Sequence, residues 1–123
     1  MRILIAEDEA VSRRVLETTL IKWGHEVIVT CDGGQAWELL RREDAPSLAI
    51  LDWMMPVLDG PTLFRQMKAR PETSALPVVF ITAKAGQRDL DELIALGAAA
   101  TISKPFSPKD LPEQLRQIWA KLP

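Results

Sequence analysis

One cysteine, Cys31, occurs in 123 residues, so no internal disulfide can form. A reducing compartment such as the cytoplasm therefore suits the chain, and a cytoplasmic location is expected. No run approaches the roughly 18 continuous apolar residues that a membrane-crossing helix needs, which predicts no membrane association. The opening Met1-Arg2-Ile3-Leu4-Ile5-Ala6 is cut off by Glu7-Asp8-Glu9 and is too short for a signal peptide. There is no surplus of positive charge: 15 basic residues face 17 acidic ones, a net charge of −2. Nothing in that balance would release counterions from a phosphate backbone, so no direct nucleic-acid binding is expected. Neither Gly-x-x-x-x-Gly-Lys nor Gly-x-Gly-x-x-Gly occurs, which argues against a nucleotide-binding loop. With no repeat, low-complexity tract or linker, residues 1–123 read as a single domain with no output domain attached.

What is present is an ordinary globular composition, 47% hydrophobic and 26% charged. Short apolar runs alternate with stretches of helical spacing. Strands are predicted over 2–6, 26–30, 48–51, 78–82 and 99–103. Helices are predicted over 10–23, 34–42 and about 61–69. A fourth carries Leu90, Leu93, Ile94 and Leu96 and is stopped by Gly97; a last one starts near Ser107 or, given Pro112, at Asp110. Asp32 is placed to cap the second helix and Pro61 to open the third. Val11, Val15, Leu16 and Leu20 are expected to form the buried stripe of the first helix, and Cys31 to be a small buried residue. Five strands alternating with five helices imply an α/β fold. It is a flavodoxin-like doubly wound five-stranded parallel sheet, strand order 2-1-3-4-5, with helices on both faces.

Polar residues recur where the apolar runs stop. Glu7 and Asp8 follow the first strand, Asp52 the third, Thr82 ends the fourth, and Lys104 follows the fifth. In a doubly wound sheet these positions share one edge, beyond the carboxyl ends of the strands, where such folds place their sites. Two carboxylates about 4 Å apart repel by roughly 4 kcal/mol at an effective dielectric near 20. Such a cluster points to a divalent cation and a reaction.

The fragments Ala6-Glu7-Asp8-Glu9, Leu51-Asp52-Trp53-Met54-Met55-Pro56-Val57-Leu58-Asp59-Gly60, Ile81-Thr82-Ala83 and Ser103-Lys104-Pro105-Phe106 occur in that order, each at a strand end. Along essentially its whole length the chain resembles the receiver domain of bacterial two-component response regulators. The resemblance implies that Asp52 is the phosphoacceptor, charged by a sensor histidine kinase or histidine phosphotransfer protein. It implies Mg²⁺, or Mn²⁺, bound by Asp8, Asp52 and the backbone carbonyl of Met54, with Glu7 acting through a water. Thr82 and Lys104 would contact phosphoryl oxygens, and the peptide before Pro105 is often cis in the family. Such a protein is a phosphoacceptor that assists its own phosphorylation and dephosphorylation, not an enzyme with turnover. Its signal would pass to a downstream protein target or to an output domain outside this chain.

Two departures stand out. Thr101 occupies a switch position where relatives often carry an aromatic ring, and Ala98-Ala99-Ala100 replaces acidic residues used in dimers. The output face, formed by the fourth helix, fifth strand and fifth helix, is therefore expected to be more apolar here. Met54 and Met55 are expected to pack, Asp59 to stabilise the turn at Gly60, and His25 to be solvated. Two other readings compete: a degenerate receiver serving as a docking module, and a phosphatase of the haloacid dehalogenase type. The latter uses Asp-x-Asp, and the second acid is Met54 in this chain.

Overall fold

The computed structural model describes residues 1–42, 44–83, 87–104 and 106–122, with Gln87 as backbone. The strands are β1 (Arg2–Ala6), β2 (Glu26–Thr30), β3 (Leu48–Asp52), β4 (Val78–Thr82) and β5 (Ala100–Ser103). They alternate with helices α1 (Ala10–Lys22), α2 (Gly33–Leu40), α3 (Gly60–Lys68), α4 (Gln87–Ala95) and α5 (Leu111–Lys121). All pairings are parallel, in the order β2-β1-β3-β4-β5. The fold is the flavodoxin-like doubly wound sheet that the alternation predicts.

The continuous apolar runs have a simple cause: both faces of the sheet are covered. Successive side chains alternate between faces. Ile3, Ile5, Leu48, Ile50, Val79 and Ile81 face Leu16 and Leu20 of α1 and Leu111, Leu115 and Ile118 of α5. Leu4, Ala6, Ala49, Leu51, Val78 and Phe80 face Ala36 and Leu40 of α2, Leu63, Phe64 and Met67 of α3, and Leu93 of α4.

Element ends differ from the sequence expectation by one or two residues, and the caps explain how. Asp32 accepts from the Gln35 amide at 2.8 Å, so α2 starts at Gly33 and closes at Leu40. Asp59 accepts from the Thr62 amide at 2.8 Å, starting α3 at Gly60 with Pro61 inside its first turn. β3 runs one residue further, taking in Asp52, and β5 starts one residue later, at Ala100. At α5 the Ser107 hydroxyl exchanges hydrogen bonds with Asp110, and Pro112 falls in the first turn, where a missing donor costs nothing.

Several burial expectations fail. Val11 is exposed, because the part of α1 packed on the sheet begins a turn later, at Val15 and Leu16. Ile94 and Leu96 are exposed as well; of this stretch Leu93 is the residue that reaches the core. Cys31 is exposed, in the turn after β2. His25 is half-buried, its ring 5.9 Å from that of Trp119 and its Nδ1 3.3 Å from the Met1 amino group. Burial, with help from the amino-terminal charge, holds its pKa below the ordinary value.

Candidate phosphoryl-transfer and metal site

Three carboxylates meet at the carboxyl edge of the central strands. Ligand oxygens from Glu7, Asp8 and Asp52 all lie within 4.8 Å of one another. The parallel register brings them together: Ala6 pairs with Leu51, and Asp52 with Ile81. The ladder continues into the loops, fixing their first residues. The Glu7 amide donates to the Thr30 carbonyl at 3.2 Å, the Trp53 amide to Ile81 at 2.9 Å, and the Lys104 amide to Thr82 at 2.9 Å.

Lys104 completes the group. Its Nζ lies 3.2 Å from Asp52 Oδ2 and also contacts Glu7 Oε1. Glu7 is wholly buried, Asp52 and Thr82 nearly so, while Asp8 is exposed. Burial is the main force on the Glu7 carboxyl, raising its pKa from 4.5 to about 8, and the Asp52 carboxylate adds to the rise against the pull of Lys104. Burial pulls the Lys104 ammonium down, but Glu7 and Asp52 outweigh it and the net shift is upward. The ammonium offsets the mutual repulsion of buried acids that would otherwise cost several kcal/mol.

A cleft of about 420 Å³ opens over these groups, lined by Asp8, Asp52, Trp53, Met54, Thr82, Ala83 and Lys104. Its outer wall is the β3–α3 loop. The Gly60 amide donates to the Trp53 carbonyl at 3.0 Å and closes this loop on itself. A side chain at Gly60 would collide with the Asp52 carbonyl, and one at Gly33 with the Leu58 carbonyl, so both glycines are required by close approach. Val57 carries a φ of +70°, a conformation that costs a residue with a Cβ about 1–2 kcal/mol. Trp53 packs edge-on against Phe80 at 6.1 Å, and Met55 lies on the core. Met54 does not pack: it is 70% exposed at the mouth of the cleft, because the loop carries it off the sheet.

The donor set suits a small, hard dication. It is all oxygen, it is anionic, and the buried Glu7 Oε1 meets the Lys104 ammonium without a hydrogen bond of good geometry. Every sequence-predicted site residue apart from Thr101 is thus gathered at this edge. Thr101 pairs with Phe80 two residues before Ser103, half-buried, in a separate groove of about 490 Å³ between α4 and α5. Pro105 and residues 84–86 of the loop after Thr82 lie outside the described residues. Sequence reasoning missed Arg13, whose Nη1 donates to the Glu7 carbonyl at 3.1 Å and the Asp8 carbonyl at 3.2 Å. The available signal was weak: a basic residue about one turn after an acidic loop.

The chain is similar to known proteins along nearly its whole length. A 39% identical relative over 121 residues is a probable transcriptional regulator, ycf27, of Porphyridium aerugineum; the match covers 98% of this chain. The chain spans about half the length (49%) of that regulator. A chemotaxis protein CheY homolog of Campylobacter jejuni is 29% identical over 119 residues, covering 96% of this chain and 92% of the relative. Among solved structures, the receiver domain of sensor histidine kinase PA1611 of Pseudomonas aeruginosa PAO1, with a magnesium ion in its active site cleft, superposes with a TM-score of 0.78. It is 29% identical, and the match covers 97% of each chain. The family profile of the response regulator receiver domain matches residues 3–116, from β1 into α5. That match takes in every strand and all the acids of the cleft, and by it the chain belongs to the response regulator receiver domain family of two-component signalling.

Proposed function

We propose that this chain is a phosphorylation-dependent switch in which Asp52 accepts a phosphoryl group from a phosphohistidine of a sensor kinase or histidine phosphotransfer protein. An Asp52 carboxylate oxygen attacks phosphorus, a P–O bond forms, the P–N bond breaks, and the imidazole leaves with the electron pair. Asp8, Asp52 and the Met54 carbonyl would hold Mg²⁺ directly and Glu7 through a water; Mn²⁺ suits the same oxygen donors. Bound there, the cation would supply positive charge facing the transferred phosphoryl oxygens.

The observation that carries this reading is the placement of Lys104, with its ammonium against both Asp52 and Glu7 beside the cleft. In the resting protein the ammonium balances the acids. On transfer it turns to a phosphoryl oxygen, and Thr82, at the end of β4, donates its hydroxyl to another. The product carries about −1.5 to −2 added charge. Movement of Thr82 draws on α4, shifting an existing equilibrium toward the active state. Because Thr101 brings no ring, the readout is carried by Thr82, α4, β5 and α5 without an aromatic partner. The output surface would lie beside Ile94, Ala99, Ala100 and Ile118, where small and apolar side chains alternate with Gln114, Gln117 and Lys121 and, among the described residues, no acidic one lines the groove.

Incubation with Mg²⁺ and acetyl phosphate tests the assignment. One phosphoryl group, stable in acid and lost in base or hydroxylamine, is expected on the wild-type chain and none on Asp52→Asn. Labelling that persists in the variant overturns it.

A further inference from the structure

We infer that Arg13 is a positioning residue for the cation site, acting through the backbone of the two loop acids; this rests on the functional reading above. The loop Glu7-Asp8-Glu9 places three acids in succession ahead of α1, and an arginine nearby would be expected to pair with one of them. It does not. Among the described residues Arg13 forms no ion pair, and one nitrogen, Nη1, bridges two successive carbonyls instead, Glu7 O at 3.1 Å and Asp8 O at 3.2 Å. The carboxylates remain unpaired with it and available to the cleft.

The consequence is mechanical. A loop whose consecutive carbonyls point to one donor has its peptide planes fixed, and with them the directions of the Glu7 and Asp8 side chains. Arg13 is itself anchored, since its amide donates to the Glu9 carbonyl at 3.0 Å in the first turn of α1. At the other end, the Glu7 amide is tied to Thr30 of β2 at 3.2 Å. The acid-bearing segment is thus held from both sides, by the sheet through Thr30 and by the helix through Arg13. Asp8, the exposed one of the cleft acids Glu7, Asp8 and Asp52, depends most on this clamp, because no burial restrains it.

The sign of the effect separates this role from simple charge. A guanidinium near the site repels a dication, so a purely electrostatic Arg13 would weaken Mg²⁺ binding and its removal would tighten it. A positioning Arg13 does the opposite. Calorimetric titration of the full chain with Mg²⁺, for wild type, Arg13→Ala and Arg13→Lys, decides between them. Arg13→Ala is expected to weaken Mg²⁺ roughly 10-fold, the low end for groups that orient metal ligands from behind. Its melting temperature in EDTA is expected to stay near that of wild type. Arg13→Lys keeps a nitrogen with enough hydrogens for both carbonyls, and is expected to recover most of the loss. Phosphorylation of Arg13→Ala by acetyl phosphate is expected to return toward the wild-type rate as Mg²⁺ is raised. Mg²⁺ bound by Arg13→Ala as tightly as by wild type, or more tightly, overturns the inference, as does a lysine variant no better than alanine. Wild-type protein that binds no Mg²⁺ overturns the functional reading itself.

Discussion

Glu7 is the residue under most tension. It is fully buried, it touches a cation, and its carboxyl is raised from 4.5 to about 8. In the metal-free protein this has a definite sign. Between those two values the folded state keeps a proton that the unfolded chain gives up, so the Glu7 contribution to stability is fully present below pH 4.5 and is lost as pH rises through about 8. Glu7→Gln mimics the protonated side chain. Its unfolding free energy relative to wild type, measured by denaturant titration in EDTA, should therefore rise with pH across this window. A difference that stays flat with pH would contradict the account. The identities of Glu7, Asp8, Asp52, Thr82 and Lys104 were readable in the sequence because each closes an apolar run. The Glu7–Lys104 contact was not, since it joins loops 97 residues apart in number (104 less 7) that only the fold brings together. Met54 and Cys31 were misread for a related reason: an apolar side chain next to a site or in a turn has no layer opposite it to pack on.

At the scale of elements, the site depends on how helices start. Asp59 caps α3 at the end of the loop that forms the outer wall of the cleft. Asp59→Ala is expected to cost about 1 kcal/mol of stability, the typical loss for an N-cap. Thermal melts with and without acetyl phosphate should show a lower melting temperature while Asp52 still accepts a phosphoryl group. Loss of labelling with an unchanged melting temperature would place Asp59 in the chemistry instead. Strand positions were highly legible, with β1, β2 and β4 falling where the apolar runs predict: β1 and β4 are buried on both faces, and the edge strand β2 keeps its half-buried run of Val27, Ile28 and Val29. Helical stripes were less so. Val11 and Ile94 keep helical spacing yet face solvent, since a helix of 9 or 13 residues buries only the turns that lie over the sheet, and Leu96 falls in the turn after α4.

For the whole molecule, the sheet order brings β1, β3, β4 and β5 to one edge, and the proposed cation links site to stability. A ligand bound only by the folded state stabilises by mass action, about 2.7 kcal/mol at 100 times its dissociation constant. Mg²⁺ should raise the melting temperature of wild type, and Asp8→Ala should abolish most of that rise. An equal rise in both would remove Asp8 from the donor set. The topology was legible because alternating strands and helices with right-handed crossovers leave few alternatives. The groove beside Thr101 was expected to be more apolar than it is: Gln114, Gln117 and Lys121 of α5 line it together with Ile94, Ala99, Ala100 and Ile118.

The central claim is that Asp52 and no other side chain receives phosphorus. Protein charged with acetyl phosphate and Mg²⁺, reduced with borohydride and mapped by peptide mass spectrometry, tests it directly. The account predicts homoserine at position 52 alone. Reduction at Asp8, Glu7 or any other acid, with Asp52 intact, would contradict it.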